Sequence, residues 1–154
     1  MKKYHWLIAA VVLTSTSIVH ANDADQEKLK KVLSCQDWMD LKSGEKLIKA
    51  IGGKRISSNS PIFDKNQNNY FSNRYQLPKS FTLYGMPVAF VDVTHDIASS
   101  DSYSVFFKGN VIKSLEKQTK VKTNDYKEIN LKKLTVYQTM YYDKFSILNC
   151  QDSI

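Results

Sequence analysis

The 154-residue chain is poor in the side chains on which most recognisable enzyme chemistry rests: three histidines, two cysteines, five glycines and three prolines. His5 and His20 fall in the first 21 residues, so His95 is the only imidazole in the remainder. One imidazole with no free thiol near it does not complete a zinc ligand set. No G-x-S-x-G occurs, which excludes a nucleophile elbow. The cysteines lie too far apart for a C-x-x-C redox motif, and no internal repeat or low-complexity tract is present. No apolar run reaches the ~18 residues needed to span a bilayer.

What is present begins with an export signal. Residues 1–21 combine Lys2 and Lys3, an apolar run over residues 7–13, polar residues 14–17 and a Val19-His20-Ala21 end, which together read as a cleaved secretory signal peptide. Asn22 rather than cysteine follows, so a lipid-anchored form and a stable membrane anchor are not expected. Cleavage after Ala21 leaves 133 residues, enough for one exported α+β domain over residues 22–154 that buries about two thirds of its unfolded surface. The expected location is periplasmic or secreted. Losing Lys2 and Lys3 lowers the formal charge from +7 to +5, below the density of a nucleic-acid binder, and nucleic acid is not an expected partner of an exported chain. In an oxidising compartment two cysteines imply a bridge, and Cys35 with Cys150 is the one pairing available.

The element order follows from periodicity. Residues 22–34 carry Asp23 and Asp25 in a first turn and an apolar stripe of Leu29, Val32 and Leu33, predicting a helix. Ser34-x-x-Asp37 signals a restart toward Trp38, Met39 and Leu41, and Ser43 caps a further piece with Leu47, Ile48 and Ile51, which Gly52-Gly53 ends. Residues 54–79 show no period and read as a long loop with aromatic anchors, among them Tyr70, Phe71 and Tyr75. The run from Ser80 to Thr94 is the strongest strand signal and reads as the centre of a sheet, broken by Gly85-Met86-Pro87 into two strands. A strand over 103–108, a short helix with Val111, Ile112, Leu115 and Thr119, and a hairpin of 134–142 with 145–150 about an Asp143-Lys144 turn complete the chain. The predicted fold is α+β, with N-terminal helices on one face of an antiparallel sheet of four to five strands and a C-terminal hairpin.

Candidate sites are few. His95 lies within Asp92-Val93-Thr94-His95-Asp96, where the acids serve as ordinary turn formers at a strand end, so no catalytic, cofactor or metal site is assigned to it. Tyr137 and Tyr141 share one strand parity with Thr135 and Thr139, while Val136, Gln138, Met140 and Tyr142 share the other. Tyrosine combines an apolar body with a polar tip, which suits a protein interface. Tyr137 and Tyr141 are therefore the expected partner anchors, with Lys132 and Lys133 as steering charges. Lys113, Lys117, Lys120, Lys122 and Lys127 add a basic region suited to acidic partners, to anionic lipid headgroups, or simply to a solvated face. The function expected is a non-enzymatic protein-binding module of the inhibitor, immunity or envelope-accessory type, whose partner is another envelope or secreted protein. The competing classes are a small-ligand carrier with an aromatic-lined pocket and an enzyme with a carboxylate-based site.

Overall fold

A computed structural model of the chain describes residues 23–58, 70–96, 100–123, 125–129, 132–138 and 145–152. Helix α1 (Asp23–Leu33) buries Leu29, Val32 and Leu33, the stripe that its sequence carries. It ends where Cys35 turns left-handed, at φ 60°, so that the Gln36 N–H reaches the Lys31 carbonyl at 2.9 Å and the Cys35 N–H reaches Val32 at 3.1 Å. This is the Schellman closure with cysteine in the place usually held by glycine, a conformation that costs an L-residue about 1–2 kcal/mol. Residues 34–40 are a non-helical junction, not the helical piece expected from Ser34-x-x-Asp37. Helix α2 (Leu41–Ala50) is capped by Asp40, whose carboxylate accepts from the Ser43 N–H at 3.0 Å; Ser43 is therefore inside the helix and is not its cap. Hydrogen bonding to Ser43 holds the Asp40 carboxyl below its ordinary pKa. Gly52, at φ 90°, closes α2 with the Gly53 N–H on the Ile48 carbonyl at 2.8 Å.

The strands are β1 (Lys54–Ser58), β2 (Tyr70–Gln76), β3 (Thr82–Leu83), β4 (Met86–Pro87), β5 (Phe90–Asp96), β6 (Ser102–Lys108), β7 (Tyr126–Ile129), β8 (Lys132–Gln138) and β9 (Phe145–Asp152), with α3 (Ile112–Thr119) between β6 and β7. Seven of them form one sheet in the order β1-β2-β5-β6-β9-β8-β7, antiparallel at every pairing; β3 and β4 form a separate hairpin. The fold is α+β as expected, but the sheet exceeds four to five strands and the third helix interrupts the strand run. The miss has a physical cause. β1 is an edge strand with four exposed residues of five, and β2 presents Ser72 and Arg74 on one side, so neither shows the apolar alternation that marks a half-buried strand.

The run from Ser80 to Thr94 divides differently from its expected halves. Tyr84 and Gly85 both have positive φ, 55° and 74°, which makes the two-residue turn of the β3–β4 hairpin, and the sheet strand proper starts only at Phe90. The median strand is β6, not this run. The terminal pairing exists, but Gln138 faces Ser146, whereas a two-residue turn at Asp143-Lys144 puts Asn149 there in an unbroken ladder. Residues 139–144 themselves lie outside the described residues.

The three helices among the described residues pack on one side of the sheet, α1 on β6 and β9, α2 on β5 and α3 on β8. Between them lies the main core, to which the sheet contributes Tyr75, Val91, Val93, Tyr103, Val105, Phe107, Leu134, Val136, Leu148 and Cys150. Cys35 and Cys150 are joined by a disulfide, with Cα atoms 5.4 Å apart, tying the end of α1 to β9. Beside it the buried Tyr103 hydroxyl donates to the Met39 and Asp40 carbonyls, at 2.9 and 3.2 Å, and packs edge-on against Trp38 with centroids 5.5 Å apart.

Gly44 of α2 faces this phenol. A Cβ there would overlap the Tyr103 hydroxyl and lie 2.7 Å from Cζ. Gly44→Ala is therefore expected to cost about 2 kcal/mol or more, through displacement of Tyr103 and loss of its two hydrogen bonds. Gly109→Ala is the control: no atom lies within 4 Å of the added carbon and φ is 82°, so the cost is backbone strain alone, about 1 kcal/mol. Urea denaturation of both variants checks this, and equal losses would contradict the close approach of α2 to Tyr103.

Candidate docking surface on the sheet side away from the helices

In a strand, alternate residues point to opposite faces, so the positions left over from the main core define the second side of the sheet. Its centre is not a solvated surface. Arg74 on β2 lies opposite Asp92 on β5, and the guanidinium grips the carboxylate twice, Nε to Oδ1 at 2.7 Å and Nη2 to Oδ2 at 2.8 Å. The Asp92 side chain is fully buried and that of Arg74 is 12% exposed. The Arg74 guanidinium also stacks 3.9 Å from the Phe90 centroid and 5.0 Å from that of Phe106, while Phe90 contacts Phe106 and Phe145 at 4.3 and 5.0 Å. Around this group, hydroxyls pair with polar neighbours: Thr94 Oγ1 donates to Ser72 at 3.2 Å, and Ser104 donates to Asn149 Oδ1 at 2.9 Å. The arrangement is a second, smaller core in which each buried polar group named has a partner, as burial demands.

The end of the sheet at β7 and β8 is different. Tyr126 is 56% exposed, one of two large apolar side chains so placed among the described residues, the other being Ile56 on the opposite edge strand. Lys133 reaches across the strand pair to put its Nζ 4.4 Å from the Tyr126 ring centroid. Thr135, opposite Tyr126 in the register, is half-buried beside them. β7 is the last strand of the sheet, so among the described residues its far edge carries no ladder partner.

The expected anchors divide among these places. Tyr137 holds a backbone position in β8 opposite Ile147, and it shares the parity of Lys133 and Thr135, not that of the core residues Leu134 and Val136. Tyr141 lies outside the described residues. Lys132 and Lys133 do not act together: they are consecutive in one strand and face opposite ways. Lys132 is on the helix side, ion-paired with Asp152 and 4.7 Å above the Trp38 ring, which makes it part of the junction that holds α1 and α2. Tyr126 was missed by sequence reasoning because its four-residue strand sits among charges. The available signal was the alternation of Tyr126 and Glu128 with Lys127 and Ile129.

Elsewhere the chemistry is sparse. His95, in β5 and not in a turn, pairs through Nδ1 with Asp101 at 2.5 Å, joining the end of β5 to the start of β6, while Asp92 points the other way to Arg74. Among the described residues, no three His, Cys, Asp or Glu side chains are grouped to hold a metal ion. Burial pushes the Tyr75 phenol up to about 12 and raises Tyr103 further, so both stay neutral near pH 7 and neither offers a phenolate. A cleft of about 470 Å³ at the start of α3 is lined by Asn110, Val111, Ile112, Lys113, Ser114, Glu116 and Thr123, with no aromatic among them. Compared with protein-family models, with curated proteins and with solved structures, the chain has no match.

The Arg74–Asp92 pair is expected to hold the second core together. Arg74→Met leaves a buried carboxylate without its guanidinium and should cost about 3–5 kcal/mol, whereas Arg74→Met combined with Asp92→Val should recover most of that loss. A double-mutant cycle by urea denaturation measures the coupling, and a single-variant loss under about 1 kcal/mol would mean that water reaches Asp92.

Proposed function

We propose that the chain is an exported, non-enzymatic protein-binding module of the inhibitor, immunity or envelope-accessory type, docking through the outer side of β7 and β8. The observation that carries this reading is the exposed Tyr126 ring with Lys133 set over it on a sheet end, an aromatic surface of the kind that forms interface anchors. Rigid placement adds to it. β8 pairs along its length with β9, and β9 is stapled through Cys150 to α1, so little order remains to be gained when a partner binds. The disulfide also fits an oxidising compartment, and among the described residues no helix is long and apolar enough to cross a membrane. Export by the segment 1–21 and a single domain over 22–154 belong to the same reading.

The test is capture of a partner from envelope and secreted fractions with the processed protein as bait, followed by titration of the identified partner. Tyr126→Ala is expected to weaken binding by about 2 kcal/mol with an unchanged unfolding midpoint, and Tyr137→Ala to weaken it as well. Lys133→Gln should chiefly flatten the salt dependence. Full affinity in both tyrosine variants would remove this surface from the docking role.

A further inference from the structure

The lysines between β6 and β8 are not spread evenly over the molecule. Residues 109–131, which lie between those strands, hold five lysines against three acids, Glu116, Asp125 and Glu128. Lys113, Lys117, Lys120, Lys122 and Lys127 are all exposed, and among the described residues none of the five is in an ion pair. Helix α3 is seated by Leu115 and Thr119, which turns Lys113 and Lys117, one helical turn apart, away from the sheet. Its end is fixed by a left-handed Lys120, at φ 60°, and by Glu116, whose Oε1 accepts from both the Thr123 N–H and Oγ1 at 2.7 Å. These bonds fold the residues carrying Lys120 and Lys122 back along the helix and commit Glu116 internally. Hydrogen bonding to Thr123 lowers the Glu116 pKa, with Lys122 and Lys113 adding to the shift from positions close to it. Lys127 joins the same side of the molecule, since it faces Leu134 in the register and Leu134 belongs to the core under the helices. Asp125 is an exposed acid of this region, and its carboxylate accepts from the Tyr126 N–H at 2.8 Å.

We propose that this lysine surface adsorbs reversibly to anionic phospholipid headgroups. Its composition favours lipid over an acidic protein: the segment contains no arginine and, among the described residues, this side holds no exposed aromatic, whereas protein interfaces are depleted of lysine and rely on tyrosine, tryptophan and arginine. Ammonium groups without fixed hydrogen-bond geometry match a field of headgroup phosphates, where each lysine contributes about fivefold to partitioning. Among the described residues no exposed large apolar side chain accompanies these lysines, so adsorption is electrostatic, without insertion, and salt-sensitive. The surface lies on the opposite side of the sheet from Tyr126 and is independent of the docking reading.

The test is co-sedimentation of the protein, purified as the cell processes it, with vesicles of phosphatidylcholine alone or mixed equally with phosphatidylglycerol. Retention is expected on the anionic vesicles at about 50 mM salt, with release at about 0.5 M and none on phosphatidylcholine. The combined variant Lys113→Gln, Lys117→Gln, Lys120→Gln and Lys122→Gln should lose about a hundredfold or more in partitioning with an unchanged unfolding midpoint, while Lys133→Gln stays within about twofold. The proposal is overturned by absence of retention at low salt, by undiminished retention of the fourfold variant, by a loss in Lys133→Gln as large as in that variant, or by tighter binding to soluble polyglutamate than to the vesicles. The last of these outcomes would instead identify an acidic protein as the occupant.

Discussion

The clamp on residues 34–40 decides how the helices sit on the sheet. This junction would otherwise be a polar loop between two short helices, and neither α1 with eleven residues nor α2 with ten is stable alone in water. Three contacts hold it to three adjacent strands: the Cys35–Cys150 disulfide to β9, the Tyr103 hydroxyl on the Met39 and Asp40 carbonyls from β6, and Lys132 over Trp38 from β8. With 115 residues between the cysteines, the chain-entropy account of the disulfide gives about 4–5 kcal/mol as an upper figure. That exceeds the 1–2 kcal/mol or so of strain in a left-handed cysteine, which explains how a non-glycine residue can close α1. Tyr103 adds the second constraint, because its hydroxyl reaches those carbonyls only where Gly44 lets α2 come close.

The topology makes the same point from the other direction. β9, which follows β8 in the sequence, is interior in the sheet: it pairs with β6 on one side and β8 on the other. The two halves of the sheet therefore join only through β9, and the disulfide sits on that strand. Non-local pairing of this kind is slow to form. The consequence for function is a sheet whose β7–β8 end is held in one position, with an aromatic surface on one side and a lysine surface on the other.

How much of this was legible in the sequence depended on which face a residue occupies. Leu29, Val32 and Leu33 gave α1, and Tyr103, Val105 and Phe107 gave β6, because both sets alternate toward the single large core. β1 and β2 were illegible for the converse reason. Arg74 and Ser72 are inward residues of a second core built on an ion pair, hydroxyls and aromatics, and nothing local marks Arg74 as buried until Asp92, 18 residues on, is placed beside it. The cap of α2 shows competition between neighbours, since Asp40 and Ser43 both qualify and the carboxylate is the stronger acceptor. Lys132 and Lys133 were readable and misgrouped: strand alternation alone sends consecutive side chains to opposite faces. The approach of Gly44 to Tyr103 could not be foreseen, because it spans the packing of α2 on the sheet.

The junction clamp, and the disulfide within it, holds α1 and α2 on the sheet. Amide hydrogen exchange compared between the native protein and the Cys35→Ala/Cys150→Ala variant tests it most directly. The expected result is a large loss of protection in α1 and α2 with protection in β5, β6 and β9 retained, as for a locally opening unit. Unchanged protection of both helices in the variant would contradict the account.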